Sequence, residues 1–470
     1  MAKSFFYSHT MYMHDKSITR LFHFLLTLIF FVVSFAHAAF PLTENKSGLP
    51  SLAPMIATVT PSVVNISVLS RSPAEDNPLF RDPFFRRFFD IPDAATKPQR
   101  SAGSGVIVDA GKGYVLTNNH VIKDAQQVIV TLKDRRQFTA QLVGTDPGTD
   151  IAVLKIDPQN LTALRFGDSD ALDVGDYVVA IGNPFGLGQT VTSGIISALG
   201  RTGLNIEGYE DFIQTDASIN PGNSGGALVS LRGELIGINT AIIGPTGGNV
   251  GIGFAVPTNM VREVMNQIVR YGEVKRGRFG VNAQDLTPDL ATSLGINTNE
   301  GALVTEVESG SPADKAGIKP RDVILIANGK PVRGAADVRN RVALTPIGEE
   351  VEFKLLRDGK QIAAKAKVVA PFTLASVEGR MIAQLEGAFV ANIDRGMPMF
   401  GKVEGALVAR VEANSPAWFY GLRPGDIIVS VNRIRTKNIA ELQNALRNNE
   451  RNAIAVTLLR GDFRLTILIR

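Results

Sequence analysis

The chain has 470 residues, 44% of them hydrophobic and 20% charged, which is enough for two to four packed domains. It has no cysteine, which excludes disulfide staples, thiol nucleophiles and cysteine-ligated zinc. Its formal net charge is +4, and outside 81–87 it has no long basic run, so charge gives no reason to expect nucleic acid or an anionic membrane as partner.

At the N-terminus, Lys3, Lys16 and Arg20 precede an apolar run from Leu21 to Phe35, closed by Ala36-His37-Ala38. A basic start, a short hydrophobic segment and small flanking residues predict a secretory signal peptide over 1–38, cleaved near Ala38. The run falls short of the roughly 20 residues a bilayer span needs, so membrane association is expected to be weak or absent. Cleavage removes Lys3, Lys16, Arg20 and Asp15, bringing the net charge from +4 to +2. It also removes His9, His14, His23 and His37, leaving His120 as the one imidazole of the mature chain. A polyhistidine metal site is then impossible, and no cofactor is expected.

A protease-sized domain is predicted over 39–271. Within it, 71–100 is rich in Pro, Asp, Arg and Phe, too long for an ordinary connection and too aromatic for a free linker. It reads as a long loop whose phenylalanines bury against another subunit. From Gly105 to Val256, short β-branched runs alternate with glycine turns, the pattern of an antiparallel barrel or sandwich. Thr258 to Tyr271 has helical character and Gly272 stands at its C-cap.

The C-terminal part repeats. Gly301-Ala302-Leu303-Val304 recurs as Gly405-Ala406-Leu407-Val408, Ser311-Pro312-Ala313 as Ser415-Pro416-Ala417, and Asp322 as Asp426. The offset is 104 residues without a gap, and 14 of 32 aligned positions are identical. Two copies of one domain are expected, over 272–372 and 380–470, joined near Phe372–Gln384.

Chemistry concentrates in three places. Gly222-Asn223-Ser224-Gly225-Gly226 puts a serine between glycines, where the chain can turn tightly and bring N–H groups to a developing oxyanion. Serine needs a base, and His120 in Thr117-Asn118-Asn119-His120-Val121 is the available imidazole. The base in turn needs a buried carboxylate. Asp150 stands at the mouth of the apolar run Ile151-Ala152-Val153-Leu154, whereas the alternatives Asp124 and Asp146 lie in polar turns and are expected to be solvated. Gly103-Ser104-Gly105 reads as a glycine turn, and no nucleotide motif is present.

With Thr117-Asn118-Asn119-His120-Val121, Thr149-Asp150-Ile151-Ala152, Gly182-Asn183-Pro184-Phe185-Gly186 and Gly222-Asn223-Ser224-Gly225-Gly226 in that order, followed by the two repeats, the sequence resembles the trypsin-like serine proteases of the exported HtrA family. The likeness spans essentially the whole mature chain and is of the DegP/DegQ type, nearer to the cysteine-free DegQ kind. It implies a mainly β fold: a two-barrel chymotrypsin-like protease domain followed by two α+β PDZ domains. It further implies an ATP-independent periplasmic endopeptidase for unfolded or misfolded proteins, with chaperone activity. The oxyanion hole would be Gly222, Asn223 and Ser224, and the homo-oligomer would be built from trimers, with hexamers or larger cages as further assemblies.

Six residues before Ser224, the expected pocket floor is Ser218 rather than an acid, which argues against Arg/Lys recognition. Small aliphatic residues are the expected cleavage sites, with Ile238, Asn239, Thr240 and Ile242 lining an extended substrate. In relatives, loops such as 199–212 and 243–253 reorder the oxyanion hole. In the first repeat, Arg278-Phe279-Gly280-Val281 resembles the loop whose amides capture a peptide C-terminal carboxylate; Gly387-Ala388-Phe389-Val390 is the looser counterpart in the second. The alternative reading is a holdase chaperone or PDZ scaffold with an idle protease site.

Overall fold

A computed structural model describes residues 43–44, 50–70, 100–184, 188–204, 208–220, 222–242, 250–298, 300–447 and 453–469. The expected signal peptide over 1–38 and the phenylalanine-rich segment 71–99 lie outside the described residues, as does most of 243–253. The chain forms two compact units, Met1–Ile56 and Ala57–Arg470. In the first, Thr43–Glu44 pairs antiparallel with Pro50–Ser51.

The second unit begins with two closed six-stranded barrels. The first is built from β1 (Val63–Ser70), β2 (Arg100–Asp109), β3 (Tyr114–Asn118), β4 (Ala125–Thr131), β5 (Gln137–Asp146) and β6 (Ile151–Lys155), closed in the order β1-β2-β3-β6-β5-β4. Strand alternation explains the closure: Val64, Ile66 and Val68 of β1 point inward with Val128 and Val130 of β4 and Ala152 and Leu154 of β6. The second contains β7 (Tyr177–Gly182), β8 (Thr190–Arg201), β9 (Phe212–Thr215), β10 (Ala227–Ser230), β11 (Leu235–Ile242) and β12 (Gly253–Pro257), closed as β8-β9-β12-β11-β10-β7. Val178, Ile196, Ile213, Leu228, Ile236 and Ala255 fill it.

Between β3 and β4 sits a single helical turn, α1 (Asn119–Ile122), and the longer α2 (Thr258–Tyr271) follows β12. Met260, Val261, Val264 and Ile268 of α2 are buried at helical spacing, and the helix packs on β5 and β6 of one barrel and β11 of the other. Gly272 ends it at φ +79°, its N–H donating to the Ile268 carbonyl, as the sequence predicts.

Two PDZ-like sheets follow. In the first, β13 (Val281–Asp285) is an edge strand paired with Ala302–Val307, and α3 (Ala335–Leu344) packs against them. In the second, β14 (Ala388–Asn392) and α4 (Ile439–Arg447) occupy the equivalent places. The internal repeat has a structural cause: Asp322 and Asp426 are fully buried, and each takes a two-pronged guanidinium, from Arg357 and Arg460 respectively. Ser311 and Ser415 cap equivalent helices.

The copies differ at one edge. β14 is flanked on its outer side by Arg380–Met381, in register Arg380↔Val390 and Met381↔Phe389, whereas no strand covers that side of β13 among the described residues. Ile382 and Leu385, just beyond, are buried in the core of the second copy.

Candidate active site

The end of β3, the one-turn helix α1 and the β5–β6 turn meet at the first barrel's rim. Asp150 sits there at φ +57°, a left-handed conformation that costs a non-glycine residue roughly 1–2 kcal/mol. The conformation aims its carboxylate back over α1. Oδ1 accepts the His120 backbone N–H at 2.9 Å and Oδ2 faces His120 Nδ1 at 2.7 Å. Asn118 Nδ2 donates to the Asp150 carbonyl at 3.0 Å, securing the same turn. Asp150 is 2% exposed at its side chain and His120 48%, so the imidazole opens to solvent while its carboxylate does not.

The second barrel contributes Ser224 and Thr240. Thr240 Oγ1 donates to Asp150 Oδ2 at 2.6 Å, so the buried carboxylate accepts three hydrogen bonds, one of them from the other barrel. Ser224 is half-buried, and its Oγ donates to the Thr240 carbonyl at 3.3 Å rather than to His120. Gly222, at φ +98°, and Gly225, at φ +81°, give the chain its turns on either side. A Cβ at Gly225 would come within 2.3 Å of the Ser104 carbonyl and Thr117 Oγ1, so that position tolerates nothing larger. The Asn223 N–H donates to the Asn220 carbonyl. The N–H groups of Gly222 and Ser224 donate to nothing among the described residues and remain available to an anion.

Other candidates are placed differently from expectation. Asp124 is exposed, but Asp146 is not solvated: it is buried, accepting both terminal nitrogens of Arg276 at 2.7 Å and the Thr149 hydroxyl at 2.6 Å. The polar composition of that turn concealed a partner 130 residues away. Arg276 also stacks on Tyr209, 4.1 Å from the ring centroid. Ile238 and Asn239 do not reach the cleft; both are fully buried in the barrel wall, where Asn239 binds the backbone of Gly225, Gly226 and Ala227. Thr240 does reach it. Ser218 is half-buried, its carbonyl accepting the Thr192 hydroxyl, and the Ile242 side chain lies outside the described residues.

In the first repeat, the Phe279 ring stacks on Phe353 in the core, and the Arg278 guanidinium is engaged by Glu308 at 2.6 Å and the Gly396 carbonyl at 3.2 Å. The N–H groups of Phe279 and Gly280 donate to nothing among the described residues, leaving backbone rather than charge for a carboxylate. A cavity of about 600 Å³ runs between the 277–283 segment and α3, with Tyr209, from between β8 and β9, at its wall.

Comparison with known proteins agrees with this architecture. Residues 103–238 match a trypsin-like peptidase domain, and 277–368 and 407–460 each match a PDZ domain. The chain is 46% identical over 445 residues to the periplasmic serine endoprotease DegP of Salmonella typhimurium, covering 90% of this chain and 92% of the relative. It belongs to the HtrA family of trypsin-like serine proteases. The HtrA-type relatives also include the periplasmic pH-dependent serine endoprotease DegQ of Escherichia coli, 46% identical over 91% of this chain and 92% of that one. Among solved structures, the HtrA-type protease AlgW with a tripeptide is 45% identical with a TM-score of 0.54, covering 69% of this chain and 98% of AlgW. The protein is therefore a serine endopeptidase of the HtrA type.

Proposed function

We propose that His120, Asp150 and Ser224 are the catalytic residues of this HtrA-type endopeptidase. The observation that carries the assignment is the buried Asp150 carboxylate, bonded at once to His120 Nδ1, the His120 N–H and the Thr240 hydroxyl. Held this way, His120 keeps its proton on Nδ1 and presents Nε2 as base. Ser224 Oγ leaves the Thr240 carbonyl, turns to Nε2 and attacks the scissile carbonyl as His120 takes its proton; hydrogen bonds of this kind are often long before substrate binds. The oxyanion is received by the N–H groups of Gly222 and Ser224. His120 then protonates the leaving amine, and water repeats the cycle on the acyl-enzyme.

Substrates enter extended, which selects unfolded or misfolded polypeptide. Ser218, in place of an acid at the pocket floor, supports cleavage after small aliphatic residues. The first PDZ domain takes peptide C-termini at its open β13 edge. In the second, Arg380–Met381 already lies along the corresponding edge, which supports a structural role. The relatives' periplasmic names and the basic-apolar N-terminus support export to the periplasm, and family likeness supports a trimer-based assembly with chaperone activity.

Casein digestion by the wild type and by Ser224→Ala tests the assignment. Wild-type turnover and its loss in the variant are expected; equal activity of the two would remove Ser224 from the mechanism. Suppression of aggregation by the inactive variant is the expected sign of the chaperone component.

A further inference from the structure

The geometry points to Ser104 as a positioning residue for the oxyanion hole, an inference that rests on the assignment of Ser224 and Gly222 above. The sequence presents Gly103-Ser104-Gly105 as a glycine turn, but the three residues run through the middle of β2, in register with Ile66, Asn65 and Val64 of β1. Ser104 is fully buried where the two barrels meet.

All of its polar groups are engaged, and two of them hold the loop of the other barrel. Its N–H donates to the Ser224 carbonyl at 2.8 Å. Its Oγ donates to the Gly222 carbonyl at 2.5 Å. The direction of that second bond is fixed, because a hydroxyl has one proton and the Asn183 N–H already points at the oxygen from 2.7 Å. The Ser104 carbonyl accepts the Thr117 hydroxyl at 2.7 Å, which keeps the strand from sliding. One residue of the barrel bearing His120 and Asp150 thus grips the carbonyls of the two residues whose N–H groups are assigned to the oxyanion.

The Gly222 bond matters most. At φ +98° this glycine has no Cβ to restrict it, so rotation about its own backbone can turn its N–H away from the cleft. Fixing its carbonyl, together with the Asn223 N–H bond to Asn220, restrains the loop in one arrangement. An oxyanion hole works through donors that are already aimed before charge develops. Ser104 touches neither substrate nor the reacting atoms; it acts through the loop.

Ser104→Ala removes the donor to Gly222 and leaves the Asn183 N–H without its acceptor. Deleting an oxyanion donor outright costs about a hundred- to a thousandfold in kcat, and misaiming one is expected to cost about ten- to a hundredfold. The full-length variant is assayed with a chromogenic peptide for kcat and KM, with a peptide boronate that forms a tetrahedral adduct, and with the matching product peptide. The expected result is a fall in kcat with KM within about twofold, a parallel loss of boronate affinity, and unchanged product-peptide affinity. Ser104→Cys, a near-isostere with a weak donor, should fall between the two and serves if the alanine variant does not fold. Unchanged kcat and boronate affinity in a folded variant would overturn the proposal. Equal losses of boronate and product-peptide affinity would overturn it too, since they mark a general structural defect. Failure of the boronate on wild-type protein would instead refute the active-site assignment.

Discussion

Thr240→Val isolates the one hydrogen bond that, among the described residues, joins the barrel bearing Ser224 to the Asp150 carboxylate of the other. Valine keeps the shape of threonine and removes the hydroxyl that donates to Asp150 Oδ2 at 2.6 Å. Hydrogen bonds to charged groups contribute about 1.5–3 kcal/mol, and each 1.36 kcal/mol is tenfold in rate. The carboxylate keeps both His120 bonds, so the histidine stays oriented. What weakens is the stabilisation of the imidazolium formed during attack. We expect kcat to fall about ten- to a hundredfold, with KM changed by less than about twofold because the hydroxyl removed is spent on Asp150 and not on substrate. Steady-state kinetics on a chromogenic peptide, alongside a thermal melt to confirm the fold, reads this directly. A folded variant with kcat within about threefold of wild type would refute the reasoning and make the Thr240 hydroxyl a packing feature.

Two further outcomes follow from the same contacts. Arg276→Met leaves the buried Asp146 carboxylate with Thr149 and the Gly148 N–H but no cation. Breaking a buried ion pair from one side costs about 3–5 kcal/mol, so calorimetry should show a clearly lower melting midpoint; an unchanged midpoint would mean the pair contributes nothing there. For peptide binding, titration with a peptide ending in a free apolar carboxylate should saturate at one per chain, at the first PDZ domain. Two sites of comparable affinity would show that Arg380–Met381 does not close the edge of β14.

Much of the site was legible because its chemistry is carried by scarce residues. The one imidazole beyond residue 38, an acid before an apolar strand and a serine between glycines stand in that order along the chain, and the structure brings His120 and Asp150 into contact at 2.7 Å. Asp146 was misjudged because turn composition predicts exposure only when no distant partner exists, and Arg276 comes from beyond α2. Ile238 and Asn239 are fully buried and paired within the second barrel, which their residue types do not announce. In an alternating strand, only closure of the barrel decides which carbonyls remain for substrate and which are paired with the neighbour.

Local pattern therefore determined the β-rich architecture, the helix α2 with its glycine cap, the repeated domain and the identity of the chemical groups. These depend on periodicity and on residue type, which a linear chain displays. Only the tertiary structure decided that Thr240 supports Asp150 from 90 residues away, that Ser104 grips the Gly222 carbonyl from 118 away, and that the second PDZ edge is already covered. Those outcomes depend on how two barrels close against each other, and on which buried polar groups then lie within a hydrogen bond's reach.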